Sequence, residues 1–247
     1  MKTLAIVGGS GAGMFPDLDS AELVPGDTRW GRPSSPVRAW EQHGHRVLFL
    51  SRHGELGSIA PHAINYRANM QFLADLGADK VVATNAVGGI AATAGPGALV
   101  IPNQLIDYTW GREHSIYDAD SAVEFIDFTE PYDVNLRENM VSAAAAAGVE
   151  VISTGAYAAT QGPRLETPAE IDRLEKDGCT IVGMTGMPEA ALARELGLAY
   201  ASCCSVVNYA AGRTESSIHA EMAAHLEQGI TRTAAIIDQL LQADKSA

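Results

Sequence analysis

The segment "KVVATNAVGG", residues 80–89, is a short apolar run that ends in one amide followed by small residues. Its β-branched start and its length favour a strand that is buried on both faces of a sheet. Six other segments have the same apolar character: "LAIVGG", "RVLFLSRHG", "ALVIPNQLIDYT", "VEVISTGAYAAT", "CTIVGMTG" and "LAYASCCSVVNY". The sequence therefore predicts a sheet that is built mainly from buried strands.

Helical patterns lie between several of these predicted strands, at residues 65–76, 133–147, 168–176, 188–196 and 220–241. Pro188 stands at a plausible first turn of the fourth pattern. Alternation of strands and helices predicts an α/β fold whose central mixed, largely parallel sheet is flanked by helices. We found no linker, repeat or low-complexity tract, so we expect residues 1–247 to form a single domain.

The composition is typical of a globular protein with one large core, with 247 residues, 47% hydrophobic and 19% charged. A net charge of −13 argues against general nucleic-acid binding. The sequence contains no apolar run of membrane-spanning length, and its N-terminal apolar stretch is too short for a signal peptide. Three cysteines in apolar surroundings indicate reduced core thiols, and no Cys/His spacing resembles a zinc site. We therefore expect a cytoplasmic protein with no membrane partner.

Polar residues follow several of the predicted strands, at the sheet edge where ligands bind in open α/β folds. Four of these places suit an anion: Ser10 in "VGGSGAG", Arg52 and His53 in "FLSRHG", Asn85 with the Ala86 backbone, and Thr185 before a helix start. A tight turn at the glycines, a solvated arginine and simple helix capping by Thr185 are the structural alternatives. Together these places predict a phosphate-sized oxyanion site.

Two further polar residues suit a planar heterocycle. Glu166 lies in "TQGPRLETPAEI" and Asn208 ends the strand segment in "SVVNYAAG". A carboxylate accepts hydrogen bonds, and an amide offers both a donor and an acceptor. As a pair they could read a base edge that carries N–H and C=O groups. Stabilisation of a helix start by Glu166 is the alternative explanation for that residue.

Seven stretches occur in the order found in the trimeric purine nucleoside phosphorylase and methylthioadenosine phosphorylase family, which the chain resembles over almost its whole length. They are "VGGSGAG", "SRHG", "HAINYRANM", "TNAVGGI", "QGPRLETPAE", "GMTGMPEAALARE" and "VVNYAAG". Within that family the chain looks most similar to the bacterial S-methyl-5′-thioinosine phosphorylases. The resemblance implies a nucleoside phosphorylase-like fold and a homotrimer, or a dimer of trimers. It also implies that inorganic phosphate is a co-substrate and that no metal or organic cofactor is needed.

The resemblance implies roles for individual residues. Phosphate would be held by Ser10, Arg52, His53, Asn85, Ala86 and Thr185. The ribose would contact Tyr66 and Met184, and the purine would lie against Glu166 and Asn208. Phe125 would reach the site of a neighbouring subunit. The implied reaction is reversible phosphorolysis, in which phosphate displaces the purine from C1′ and forms a ribose-1-phosphate.

Residue 208 bears on the choice of base. Family members that cleave 6-aminopurines carry Asp there and a second Asp at position 210, whereas this chain has Asn208 and Ala210. Glu166 would accept the N1–H of a 6-oxopurine, and adenine has no such hydrogen. These residues favour a 6-oxopurine base. Together with the similarity of the rest of the chain to the S-methyl-5′-thioinosine phosphorylases, the resemblance favours S-methyl-5′-thioinosine, which would give hypoxanthine and 5-methylthioribose-1-phosphate.

The other end of the substrate is left open by the sequence. In "SSIHAEMAAH" the resemblance places His219 and Met222 near the 5′ substituent. Family members use histidine for a 5′-hydroxyl and apolar residues for a 5′-methylthio group. Alternatives within the class are a methylthioadenosine phosphorylase and a 6-oxopurine phosphorylase acting on inosine or guanosine. A hydrolase using water and a non-catalytic nucleoside- or phosphate-binding protein are alternatives outside it. A dehydrogenase is disfavoured because Met14 breaks the dinucleotide-binding glycine pattern.

Overall fold

The computed structural model describes residues 2–9, 20–118, 122–215 and 217–244. Within those ranges ten strands form one sheet: β1 Thr3–Gly8, β2 Glu22–Val24, β3 Val37–Gln42, β4 His45–Ser51, β5 Lys80–Gly89, β6 Leu99–Val100, β7 Gln104–Asp107, β8 Ala156–Ala159, β9 Cys179–Gly183 and β10 Ala199–Tyr209. The α-helices are α1 Tyr66–Asp75, α2 Val134–Ala146, α3 Pro168–Lys176, α4 Gly186–Glu195 and α5 Ile218–Asp244.

The sheet is mixed and largely parallel, as the sequence predicts. Its strand order is β2-β3-β4-β1-β5-β9-β8-β7, and β10 pairs with β5 and β6. β5 is the branching strand, because β10 runs parallel to it along its whole length while β1 and β9 share its other edge. β1 leaves that edge after Ala83 and β9 joins it only at Gly88. Residues 84–87 of β5 are therefore unpaired with a strand on that side.

Hydrophobic residues cover both faces of the sheet, which explains the near-continuous apolar strands in the sequence. On β1, Ala5 and Val7 pack into a core that includes residues of α1 and α4. Leu4 and Ile6 pack on the opposite face, into a core that includes residues of α2 and α5. Side chains alternate between the faces of a strand, so a strand with two buried faces shows no polar alternation.

The five predicted helices are present, with boundaries that differ by a few residues. α3 matches its predicted range, and the N-cap Thr167 forms a capping box with Glu170. α4 is assigned from Gly186, but Met187 is non-helical at φ −125° and ψ 141°, so the regular part of the helix begins at Pro188, which lies in the first turn as expected. α5 runs from Ile218 to Asp244 and is longer than predicted at both ends.

The strand predictions were less accurate. The segment at residues 98–109 divides into β6 and β7 around Pro102, which cannot donate a backbone hydrogen bond. In the segment at residues 149–160 only Ala156–Ala159 forms a strand, since Gly155 breaks the extension at φ 151°. The sequence prediction included β4 but not β3, so the hairpin that these two strands form was missed. In its turn His43 and Gly44 adopt positive φ, where few side chains are favourable.

The three cysteines are free and buried, as the sequence predicts. Burial raises the pKa of the Cys203 thiol to about 11 and that of Cys204 to about 12. At neutral pH both side chains are therefore protonated thiols that pack as small hydrophobic groups. Separately, none of the helices in the described part of the chain is long and apolar enough to span a membrane.

Candidate active site

One cavity of about 200 Å³ opens at the ends of several strands. Ten of the residues singled out in the sequence line it: Arg52, His53, Asn85, Ala86, Glu166, Met184, Thr185, Asn208, Ala210 and Met222. They come from distant parts of the chain, and four of them directly follow β4 or β9, at the carboxyl ends of those strands: Arg52, His53, Met184 and Thr185. The sheet therefore concentrates most of the predicted polar residues at one place.

A second cavity of about 440 Å³ adjoins the first and shares Glu166 with it. Its charged groups largely satisfy one another, as Arg164 donates to both carboxylate oxygens of Glu170, at 2.7 and 2.8 Å. The smaller cavity is the better candidate for chemistry despite its size, because the strand ends and the unpaired backbone of β5 meet there.

Arg52 lies at one end of the smaller cavity and is 1% exposed. Its Nε and Nη2 donate to the two carboxylate oxygens of Glu189, at 3.1 and 2.9 Å. Nη2 also donates to the Val7 carbonyl, and Nη1 donates to the Thr84 carbonyl at 2.8 Å. These bonds use four of the five guanidinium N–H groups. One N–H of Nη1 has no acceptor among the described residues, and Nη1 lies beside Gly9 in the cavity lining.

Burial and the ion pair act in opposite directions on Arg52. Desolvation lowers its pKa, and the charge and hydrogen bonds of Glu189 outweigh that effect, so the pKa of the guanidinium rises above its usual value. Arg52 is therefore permanently charged in a place where water is excluded. The Tyr200 hydroxyl donates to the same carboxylate at 2.9 Å and helps to fix its orientation.

The unpaired edge of β5 supplies a further donor. Thr84 offers its carbonyl to Arg52 on this edge, and farther along Ile90 donates its N–H to Thr180 on the same edge. Backbone groups of alternate residues face the same edge of a strand, so the N–H of Ala86 points into the gap between β1 and β9. Ala86 is exposed although it lies in a central strand, which leaves room for a bound anion beside it.

Asn85 and Thr185 are joined in a buried hydrogen-bond chain. The Thr185 hydroxyl donates to Oδ1 of Asn85 at 2.9 Å, and Nδ2 of Asn85 donates to the Ser202 hydroxyl at 2.6 Å. Thr185 is the N-cap residue of α4, but its side chain makes no capping bond. The side chain of Thr185 therefore does not cap the helix, which was the structural alternative for this residue.

His53 faces the cavity with one ring nitrogen. Its Nδ1 lies 2.7 Å from the Ile59 carbonyl, and because a carbonyl only accepts, Nδ1 carries the hydrogen. Burial lowers the pKa of the imidazole, so the ring is mainly neutral at neutral pH. Nε2 is then left as a hydrogen-bond acceptor, suited to a hydroxyl of a protonated oxyanion.

The opposite end of the cavity holds Glu166 and Asn208. Glu166 accepts a hydrogen bond from the Thr160 hydroxyl at 2.6 Å and keeps further lone pairs free. The pairing of β10 with β5 shifts between Val206 and Asn208, so Val207 is an extra residue in a β-bulge. A bulge redirects the side chains beside it, and Asn208 here lies in the cavity lining. Its Nδ2 donates one hydrogen to the Tyr209 carbonyl at 2.7 Å.

A third wall of the cavity is apolar. Met222 and Ile218 come from the first turns of α5, and Leu165 and Ala211 complete this side. His219, the other residue expected near a 5′ substituent, is exposed and is absent from the lining. We call this wall the α5 wall.

The remaining predicted residues lie elsewhere. Tyr66 is buried outside the cavity lining, and its hydroxyl donates to the carbonyl of Pro61, which does line the cavity. Burial raises the pKa of Tyr66. Phe125 is 94% exposed and lines neither of the two cavities described above. Ser10 lies outside the described residues.

Sequence reasoning missed several residues that build the site. Glu189 is completely buried, and a signal for it existed, because it shares a helix face with the buried Leu192 and Ala193. Ser202 and Arg112 gave no signal, since nothing near them in the sequence shows what they contact. Arg112 is buried and donates to the carbonyls of Met184 and Met187, at 2.9 and 2.5 Å.

The profile of the phosphorylase superfamily matches residues 3–242, nearly the whole chain. The chain belongs to the phosphorylase superfamily. The cavity that gathers the strand ends is therefore the place to look for the activity of this phosphorylase.

Individual relatives narrow the comparison. The phosphorylase is 51% identical to a probable S-methyl-5′-thioinosine phosphorylase of Xanthomonas campestris, over 85% of this chain and 84% of the relative. It is 42% identical to a probable 6-oxopurine nucleoside phosphorylase of Thermococcus kodakarensis, over 90% of this chain and 85% of the relative. Its fold is also close to that of methylthioadenosine phosphorylase from Schistosoma mansoni in complex with tubercidin. That comparison has a TM-score of 0.93 at 28% identity, and covers 100% of this chain and 93% of the other.

Proposed function

We propose that this phosphorylase catalyses the reversible phosphorolysis of S-methyl-5′-thioinosine to hypoxanthine and 5-methylthioribose-1-phosphate. The observation that carries the proposal is the composition of one cavity, which has anion donors at one end, an amide and a carboxylate at the other, and the apolar α5 wall. Each of these features suits one part of that nucleoside with its phosphate partner.

Phosphate would occupy the end formed by Arg52 and the gap in β5. The free Nη1–H of Arg52 and the Ala86 N–H would donate to phosphate oxygens, and neutral His53 would accept from a phosphate hydroxyl. Thr185, whose hydroxyl donates to Asn85 in the free site, would turn that hydrogen to a phosphate oxygen. Residue 10, a serine, is proposed as a further donor on the strength of the family resemblance.

The purine would lie against Glu166 and Asn208. Glu166 would accept the N1–H of hypoxanthine, and the second Nδ2 hydrogen of Asn208 would donate to N7 or O6. Adenine would face Glu166 with a lone pair, which costs about 1–3 kcal/mol or about 5- to 150-fold in selectivity. Ala210 leaves no second carboxylate for a 6-amino group.

In the reaction a phosphate oxygen forms a bond to C1′ as the C1′–N9 bond breaks, and the bonding electron pair leaves with the purine. Positive charge builds on the sugar and negative charge on the base. The phosphate would stabilise the first charge and the Asn208 donor the second, so that both ends of the cavity act in the transition state. Met184 and Tyr66 are proposed to contact the ribose.

The 5′-methylthio group would lie against the α5 wall. Met222 and Ile218 line this wall, and His219 does not. Binding of an apolar group there displaces water and is favourable in free energy. A 5′-hydroxyl would instead be buried without a hydrogen-bond partner on this wall. This placement favours the methylthio substrate over inosine or guanosine.

We further propose that the active enzyme is a homotrimer, or a dimer of trimers, in the cytoplasm. Phe125 is 94% exposed and Trp110 is 71% exposed, more than large apolar side chains favour in an isolated subunit. Phe125 would enter the site of a neighbouring subunit. The three buried free thiols suit a reducing compartment.

A substrate panel with and without phosphate tests the proposal. We expect purine release to require phosphate and kcat/KM to be highest for methylthioinosine among methylthioinosine, methylthioadenosine, inosine, guanosine and adenosine. Sulfate at the same ionic strength is the control for salt effects. Equal release without phosphate would instead establish a hydrolase. A preference for methylthioadenosine, or for inosine, would establish one of the other two phosphorylase activities.

A further inference from the structure

A second buried arginine, Arg112, bridges two loops of the candidate site. It is 9% exposed, and within the described ranges no carboxylate pairs with its guanidinium. A buried charge without an ionic partner is costly unless dipoles surround it. Here main-chain carbonyls take that place, so Arg112 is held by the backbone of the protein and not by one acidic side chain.

One side of Arg112 binds the loop that follows β8. Nη2 donates to the carbonyls of Thr160 and Gln161, at 3.2 and 2.8 Å, and Nε donates to Oε1 of Gln161 at 3.2 Å. Thr160 in turn donates its hydroxyl to Glu166. We call residues 160–166 the base loop, because they end at the carboxylate proposed to read the purine.

The other side of Arg112 binds the segment that follows β9. Nη1 donates to the carbonyls of Met184 and Met187, and to the Tyr66 hydroxyl at 3.2 Å. Thr185 lies between the two methionines and is bonded to Asn85. We call residues 184–187 the phosphate loop. One planar guanidinium thus contacts the base loop and the phosphate loop at the same time.

We propose that Arg112 is a positioning residue that sets the spacing between the base loop and the phosphate loop, an inference that rests on the proposed phosphorolysis. Attack and departure at C1′ need nucleophile, sugar and base in line, and a displacement of about 1 Å can cost about 100-fold in rate. Lysine cannot replace this contact, because its three donors lie on one compact head group and arginine spreads five over a plane.

The variants Arg112→Lys and Arg112→Met test this role against Arg232→Lys. Arg232 is a matched control because it also donates to two backbone carbonyls, those of Gly97 at 2.6 Å and Glu150 at 3.0 Å, and does not line the cavity. We expect both Arg112 variants to raise the KM of phosphate and of nucleoside, with kcat/KM falling about 100-fold. Arg232→Lys should stay within about twofold of the wild type.

A purely structural role would give a different result. In that case kcat would fall with the folded fraction while both KM values stayed unchanged, which would overturn the proposal. A rise in only one of the two KM values would also overturn it, since one loop alone would then depend on Arg112.

Hydrogen exchange provides a measurement that does not depend on activity. Backbone amides of the base loop and of the phosphate loop should both exchange faster in Arg112→Lys than in the wild type, and in Arg232→Lys neither loop should change. Unchanged exchange in either loop would contradict the proposal. If the wild type released no purine with phosphate, the proposed function would fail while this exchange comparison still decided the role of Arg112.

Discussion

The phosphate end and the α5 wall of the cavity are built in different ways. At the phosphate end, polar groups are buried and satisfied by other parts of the chain: Arg52 by Glu189, and Asn85 by Thr185 and Ser202. At the α5 wall, Met222, Ile218 and Leu165 are only partly buried or exposed, and they contribute apolar surface. The phosphate end is a fixed set of hydrogen bonds, and the α5 wall is an apolar surface with few hydrogen-bonding groups.

This difference predicts unequal consequences of mutation. Donors that are already fixed before a substrate binds are effective because they need no reorganisation during the reaction. If one of these donors is removed, the group that it was bonded to is left buried without its partner. An apolar wall discriminates between substrates by a modest amount, about 1–3 kcal/mol for a methylene-sized difference. The three substitutions below run from the phosphate end to the α5 wall, in order of decreasing expected effect.

Arg52→Met should have the largest effect. Removing a charge-assisted hydrogen bond should lower kcat/KM for phosphate by about 10- to 150-fold. Glu189 would be left buried without its partner, so the free energy of unfolding should also fall by about 3–5 kcal/mol. Steady-state kinetics with varied phosphate and urea denaturation measure the two effects.

The double variant Arg52→Met with Glu189→Leu separates the two effects. Replacing both members of a buried ion pair by apolar residues is often neutral, so stability should recover while the phosphate kinetics should not. Recovery of both would show that Arg52 acts only on stability. Arg38→Met is a control, because its surface pair with Glu55, at 3.4 Å, should contribute less than about 1 kcal/mol.

Asn208→Asp should have an intermediate effect, confined to the choice of base. An aspartate can accept from a 6-amino group, so the ratio of kcat/KM for methylthioinosine over methylthioadenosine should fall by about 10-fold. Asn103→Asp is the matched control, since Oδ1 of Asn103 accepts from the Gly155 N–H at 2.8 Å away from the cavity lining. An unchanged ratio in Asn208→Asp would mean that Glu166 or Ala210 carries the selection.

Met222→Gln should have the smallest effect. The polar side chain keeps a similar length but lowers the apolar character of the α5 wall, so the preference for methylthioinosine over inosine should fall about fivefold. His219→Ala should leave this preference unchanged, because His219 is exposed and outside the lining. The reverse pattern, with His219→Ala alone altering the ratio, would move the 5′ assignment from Met222 to His219.

Much of the fold could be predicted from the sequence, because the apolar pattern of a buried strand is visible in its own residues. β5 and β10 are apolar over their length because both faces of the sheet are covered, and this pattern is visible without any tertiary information. β3 was missed because "VRAWEQ" has one face against the core and another that is polar. β8 was predicted too long, because backbone breaks such as Gly155 depend on the chain around them.

For the site, the sequence by itself determined which side chains stand at strand ends, including Arg52, His53 and Thr185, and it determined that residue 208 is an amide. Those follow from local order along the chain. Only the tertiary structure decided what the side chains contact. It paired Arg52 with Glu189, which lies 137 residues away, and it placed Arg112 between two loops that follow different strands. Such partners are chosen by the packing of distant segments, because a buried charge must find its acceptors wherever the fold presents them.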